Sequence, residues 1–218
     1  MVSSDAEIVR MRWKGKHSEA LQDGQTYETC IEGAIRAGKT TVCLWREYDA
    51  AVAFPGIHIL LARWTDDGVF GLVAPLWRRI CESAGVKLTW HSDEGYDELP
   101  NGSRVYIRGL KSQDQTLRYS KFRGLTLARC YIDQAEEIPQ DIYLEVTGRL
   151  SQVGYTPQMT ISPQSVEQGH WIAERFPEDN HHLPRRKYLP LSVYDNAHNL
   201  TPEYLRNLEE TYQPEHPK

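Results

Sequence analysis

Short apolar runs alternate along this chain with stretches in which apolar residues recur every three or four positions. That rhythm predicts a parallel sheet connected by crossover helices. The run YETCIEG (27–33) predicts a strand that enters a glycine turn. The segment 39–54 then has helical period, with Val42, Trp45, Tyr48 and Val52 on one side. IHILLAR (57–63) is almost continuously apolar, as a strand covered on both faces should be. Between Asp66 and Ala84 the spacing of Val69, Val73, Leu76 and Ile80 predicts a second helix, which Pro75 either kinks or opens. VKLTW (86–90) and SRVYIRG (103–109) predict strands on either side of an acidic, glycine-containing turn, HSDEGYDELPNG. LARCYID (127–133) predicts another buried strand, and Pro139 suits the first turn of a helix that points Ile142, Val146 and Leu150 inward. PQMTISP (157–163) predicts the last strand.

Beyond about Pro177 the chain becomes polar and rich in proline. This divides it into an α/β domain over 1–177 and a linker or lid region over 178–218. The latter ends in a short helix over 201–212, with Thr201 as N-cap and Pro202 in the first position. Within it, RRK (185–187) reads either as a contact for DNA phosphates or as a solvated basic turn. With 218 residues, 40% hydrophobic and 25% charged, the composition is that of an ordinary soluble protein. No apolar run approaches the length of a membrane span, and the N-terminus lacks a signal-type segment, so a cytosolic protein with no membrane partner is expected. Cys30, Cys43, Cys81 and Cys130 are too scattered for a zinc site and read as small buried hydrophobes. A net charge of −5 neither favours nor excludes nucleic acid.

The first chemistry comes from GAIRAGKT (33–40), an ungapped match to G-x-x-x-x-G-K-[ST] lying between a predicted strand and a predicted helix. In such a loop the backbone of Gly33, Ala34, Ile35, Arg36, Ala37 and Gly38 wraps phosphates, and the helix that Lys39, Thr40 and Thr41 open adds its partial positive charge. Lys39 would reach the β- and γ-phosphates, and the Thr40 hydroxyl would ligate Mg²⁺. Arg36 inside the loop could meet a γ-phosphate or an acidic neighbour, or lie solvated. The cofactors expected are therefore ATP and Mg²⁺. A loop of this kind needs a second carboxylate at the tip of a strand adjacent to it, and Asp133 ends the most apolar candidate.

Four segments occur in order: EGAIRAGKT, FRGLTLARCYIDQAEEIP, MTISPQSVEQGHWIAERF and YDNAHNLTPEYL. Together they resemble the large terminase subunit of tailed bacteriophages, from about Lys14 to Tyr212. The resemblance implies a P-loop NTPase of the RecA-like, additional-strand class, with a mainly parallel central sheet flanked by helices. It implies a viral motor ATPase that moves double-stranded DNA into a procapsid. The implied partners are the portal protein, the small terminase subunit and further copies in a ring, taken as a pentamer. The place of action would be the host cytoplasm, and an RNase H-like nuclease domain would follow outside this chain. Lys39 and Thr40 match the Walker A pair, and Asp133 matches the Walker B aspartate. Arg36 matches the loop arginine, although many members carry it one residue earlier. Arg123 matches a finger that acts on a neighbouring subunit's ATP, and Thr160 and Ser162 lie in the coupling motif. Gln22 and His17 are weaker candidates for contact with adenine.

The chain departs from the family at Gln134, where most members place a catalytic glutamate. An amide cannot take a proton. Glu136 or Glu137 could substitute only if the chain turns directly after Asp133, because two extended residues displace a side chain by roughly 6–7 Å and a base must come within about 3 Å of its water. Otherwise Gln134 orients the water by hydrogen bonding, or the site binds ATP and turns it over slowly. A helicase or translocase of another family, or an ATP-binding assembly module with little hydrolysis, are the competing functions.

Overall fold

The computed structural model describes residues 13–112, 122–179 and 183–211. Their frame is an eight-stranded sheet of order β3-β4-β5-β2-β6-β7-β1-β8. The strands are β1 (Glu28–Cys30), β2 (His58–Arg63), β3 (Thr89–His91), β4 (Tyr96–Glu98), β5 (Arg104–Gly109), β6 (Arg129–Asp133), β7 (Gln158–Ser162) and β8 (Arg186–Tyr188). From β5 through to β8 every pairing is parallel, while β3 and β4 form an antiparallel extension. The helices are α1 (Gly15–Gln22), α2 (Lys39–Ala53), α3 (Ala74–Ser83), α4 (Gln140–Thr147), α5 (Trp171–Arg175) and α6 (Pro202–Thr211).

Both faces of the sheet are dry, which is why its central strands show no polar alternation. Ile59, Leu61 and Tyr131 join one core with residues of α2 and α3, whereas Leu60, Ala62, Cys130 and Ile132 join a second core with residues of α4. All four cysteines are buried free thiols, as expected. Among the described residues no helix is long and apolar enough to cross a membrane.

Helix α2 buries a different face from the one its period suggests. Val42 is buried and Trp45 and Tyr48 are half-buried, but Val52 is exposed, while Cys43, Leu44, Arg46, Glu47, Ala50 and Ala51 are buried. The helix packs between the sheet and its neighbours α1 and α3, so no single stripe describes it. Its two buried charged residues are hydrogen-bonded, only Glu47 to an opposite charge. Glu47 accepts from Arg129 Nε at 2.7 Å and Nη2 at 3.0 Å, and Arg46 donates to Thr160 Oγ1 at 3.1 Å and to the Asp23 carbonyl at 2.7 Å.

The second predicted helix has a π-helical turn at Val69–Val73, whose cap brings the Ala74 N–H to Val69 O. Pro75 follows in the first turn of α3, where the missing N–H costs little. The acidic turn holds an unpredicted strand, β4. Its Asp97 is buried because it accepts from Arg78 Nε at 3.0 Å and Nη2 at 3.2 Å, and this buried carboxylate concealed the strand from a hydrophobic pattern.

After residue 183, in the region read as a linker or lid, the chain joins the sheet. Strand β8 pairs with β1 in the register Glu28↔Arg186 and Cys30↔Tyr188, and Leu189, Leu191 and Val193 are buried. Glu28, only 2% exposed, accepts from Arg186 Nε at 2.9 Å and from Arg175 Nη2 at 2.6 Å, so a polar residue of β8 is held against the buried start of β1. The basic run is thereby engaged internally, with Lys187 2.9 Å from Glu19 and the Arg185 guanidinium 4.6 Å from the Tyr27 ring centroid. Helix α6 starts as predicted, with Thr201 Oγ1 accepting from Tyr204 N at 3.2 Å. Tyr212 and the residues beyond it lie outside the described chain.

Candidate active site

Parallel strands place their C-terminal ends along one edge, the usual place for a ligand in such sheets. Three ends meet there: the loop after β1, Asp133 of β6 and Ser162 of β7. Strand β7 lies between β1 and β6, so the strand that ends in Asp133 is not the direct neighbour of the loop strand. One intervening strand separates the two motifs, and side chains bridge the gap.

The loop 33–40 owes its shape to two left-handed residues, Arg36 at φ 65° and Gly38 at φ 83°. Gly33 is needed for a different reason, because a Cβ there would lie 2.2 Å from Leu191 O. The Lys39 ammonium donates to the carbonyls of Gly33 at 2.5 Å and Ala34 at 3.1 Å, so it lies across the loop. Burial lowers the Lys39 pKa, an effect offset in part by the Asp133 and Glu136 carboxylates. Ala34, Ile35 and the Arg36 side chain are exposed, Ala37 is buried, and Thr41 is half-buried in the first turn of α2. The loop is braced from behind by Asn196 Nδ2, which donates to Arg36 O at 2.8 Å, and by His17 Nε2, 2.8 Å from Ala37 O. His17 is therefore a fully buried support for the loop, and Gln22 is exposed and donates to Ser18.

Thr40 Oγ1 donates to Asp133 Oδ1 at 2.9 Å. The same oxygen receives Tyr131 Oη at 2.8 Å and Ser162 Oγ at 3.2 Å, while Oδ2 lies 3.4 Å from Arg63 Nε. The hydroxyl and carboxylate side by side at the mouth of the loop 33–40 are hard oxygen donors of the kind a divalent cation selects. The polar face of β7 thus bonds to two elements at once, through Ser162 to β6 and through Thr160 to Arg46 of α2.

Directly after Asp133 the chain turns. Gln134 is left-handed at φ 51°, and a 3-10 turn covers Ala135–Glu137. Glu136 is consequently half-buried, with Oε2 accepting from Gln164 N at 3.1 Å, whereas Glu137 is exposed. Burial raises the Glu136 pKa, opposed by its bond from Gln164 and by the charge of Lys39. Arg123 is exposed and follows residues 113–121, which lie outside the described chain. Sequence reasoning missed Arg63, Tyr131, Arg46 and Asn196. The first two carried a usable signal: Arg63 is a charge closing an apolar strand, and Tyr131 lies two residues before Asp133 and so shares its face.

The strand order and the loop define an α/β P-loop NTPase fold of the RecA-like, additional-strand class. The sequence matches no family model and no curated protein. Among the solved structures with this fold are large terminases. One, from a thermophilic bacteriophage, aligns with a TM-score of 0.78 at 20% identity, over 93% of this chain and 51% of that one. The same protein in complex with ADP gives 0.76 at 20% identity, over 93% and 50%. The large terminase ATPase domain of Thermus phage P74-26 gives 0.63 at 16% identity, over 95% and 91%. The fold is that of large terminase ATPase domains, and the chain spans about half the length of the first of these proteins.

Proposed function

We propose that this chain is the ATPase motor domain of a viral large terminase, hydrolysing ATP with Mg²⁺ to move double-stranded DNA into a procapsid. The observation that carries the reading is the Thr40–Asp133 hydrogen bond, which joins the phosphate loop to the strand end across β7. In this reading the loop amides and Lys39 hold the phosphates, and Thr40 and Asp133 hold the metal. Bound Mg²⁺ would neutralise charge on the phosphates. Arg123 serves a neighbouring subunit, Arg36 approaches the γ-phosphate from the loop, and Thr160 and Ser162 relay the state of the site along β7. The domain, in this proposal, runs through β8 and Leu191, with portal, small terminase subunit and a ring of copies as partners in the host cytoplasm.

Of the candidates for the base, Glu136 has the best support. The left-handed Gln134 supplies the turn that an extended chain would lack, and Glu136 is the carboxylate it brings into the electrostatic range of Lys39. A half-buried carboxylate with a raised pKa suits a general base better than the exposed Glu137. Gln134 then orients water or only shapes the turn, and turnover by the chain alone is slow until DNA or portal engages it.

Phosphate release at saturating ATP and Mg²⁺ tests this. The expected result is that Lys39→Ala and Glu136→Gln each lower the rate at least 100-fold while Glu137→Ala leaves it within threefold. An active Lys39→Ala protein would remove the ATPase reading, and an active Glu136→Gln protein would remove Glu136 as the base and leave Gln134 to orient the water by hydrogen bonding.

A further inference from the structure

Asp133 presents its two oxygens to different chemistry. Oδ1 faces three hydroxyls, those of Thr40, Tyr131 and Ser162, at 2.9, 2.8 and 3.2 Å. Oδ2 faces a cation, Arg63, whose Nε lies 3.4 Å away. The sheet register makes that contact: Ala62 of β2 pairs with Ile132 of β6, so the next residue on each strand is Arg63 and Asp133. The pair is well shielded, with side-chain exposures of 13% for Arg63 and 4% for Asp133, so its attraction is weakly screened by solvent. Gly68 leaves room for the guanidinium, since a Cβ at that position would come within 3.3 Å of Arg63 Cδ.

We infer that Arg63 is a positioning residue of the metal site, a counter-ion that fixes the Asp133 carboxylate through Oδ2 and competes with the divalent cation for its charge. The inference rests on the nucleotide reading above. Two consequences follow from electrostatics. A cation close to a carboxylate lowers the affinity of that carboxylate for a second cation, so a resident arginine weakens metal binding. By holding Oδ2 it also keeps Oδ1 turned toward Thr40, where the two oxygens would hold a divalent cation. Arg63 thus sacrifices affinity for orientation.

The test is a Mn²⁺ titration in the presence of ADP, with free Mn²⁺ followed by electron paramagnetic resonance, on the full chain and on Arg63→Gln. The midpoint should fall about tenfold in Arg63→Gln, meaning tighter binding, while kcat falls and KM for ATP holds within twofold. Arg63→Lys, which keeps the charge, should restore the midpoint to within about threefold of the unaltered protein. A role confined to stability would lower the melting temperature and leave the Mn²⁺ midpoint where it was, and that result overturns the inference. Weaker Mn²⁺ binding in Arg63→Gln overturns it as well. Should Arg63→Gln not fold, Arg63→Met takes its place, and failure of both makes the pair purely structural and overturns the inference. An unaltered protein that binds no Mn²⁺ with ADP would instead remove the nucleotide reading on which the inference stands.

Discussion

The Thr40 hydroxyl donates to Asp133 Oδ1 at 2.9 Å, binding the first turn of α2 to the tip of β6 across 93 residues of chain and one intervening strand. A bond between a hydroxyl and a buried carboxylate is worth about 1.5–3 kcal/mol, and Asp133 keeps two other hydroxyl donors when this one is lost. Thr40→Ala should therefore cost only about 1–2 kcal/mol in urea unfolding while it abolishes Mg²⁺-dependent tightening of ADP binding. Thr40→Ser should retain both. Calorimetric titration of ADP with and without Mg²⁺ checks the pair.

With Glu136 as the proposed base, its ionisation would set the acid limb of activity. Burial raises its pKa above the ordinary glutamate range, and it acts as a base only when ionised. Turnover should thus fall as pH drops through a value above the usual carboxylate range of about 4.3, measured as kcat for phosphate release. The linkage runs the other way for stability. The folded state holds this proton more tightly than the unfolded chain does, so the contribution is present below the unfolded pKa and is lost as pH rises through the folded one. Glu136→Gln should be less pH-dependent in stability over that window.

The Glu47–Arg129 pair is almost wholly buried, with side-chain exposures of 1% and 8%, and ties α2 to the start of β6. Breaking such a pair from one side leaves an unpaired buried charge and costs about 3–5 kcal/mol. Glu47→Ala should show that loss in urea unfolding. The double change Glu47→Met with Arg129→Met should recover most of it, because neither charge then remains.

Ending the chain after Asp179 should prevent folding. It strips β8 from β1, removes the buried Leu189 and Leu191, and leaves Glu28 with Arg175 alone. Each lost leucine accounts for about 1.5–3 kcal/mol of burial, and the edge of β1 is opened to aggregation. Soluble yield and circular dichroism of the truncated chain check this. A cooperative melt close to that of the full chain would mean that 178–218 is an appendage after all.

Much of the site was legible because its chemistry is local. The loop 33–40 is one contiguous motif, and Asp133 closes an apolar run that any buried parallel strand would show. The hidden parts are those in which polar residues are buried in pairs. Arg46 and Glu47 carry no apolar signal, Asp97 reads as part of an acidic turn, and Arg186 as part of a linker. Each lies inside because a partner distant in sequence hydrogen-bonds it: the Thr160 hydroxyl and Asp23 carbonyl for Arg46, and a group of opposite charge for the others, Arg129 for Glu47, Arg78 for Asp97, Glu28 for Arg186. Hydrophobic patterning has no means of registering such pairs.

By itself, the sequence determined the strand and helix rhythm, the loop 33–40 and the aspartate that closes β6, since backbone period and motif spacing depend only on near neighbours. Tertiary structure alone decided that β7 stands between loop and aspartate, that β8 completes the sheet, and that Gln134 turns the chain so that Glu136 rather than Glu137 is half-buried by the loop. Those outcomes depend on sheet register and on one left-handed residue, and both are set by contacts between segments far apart in the chain.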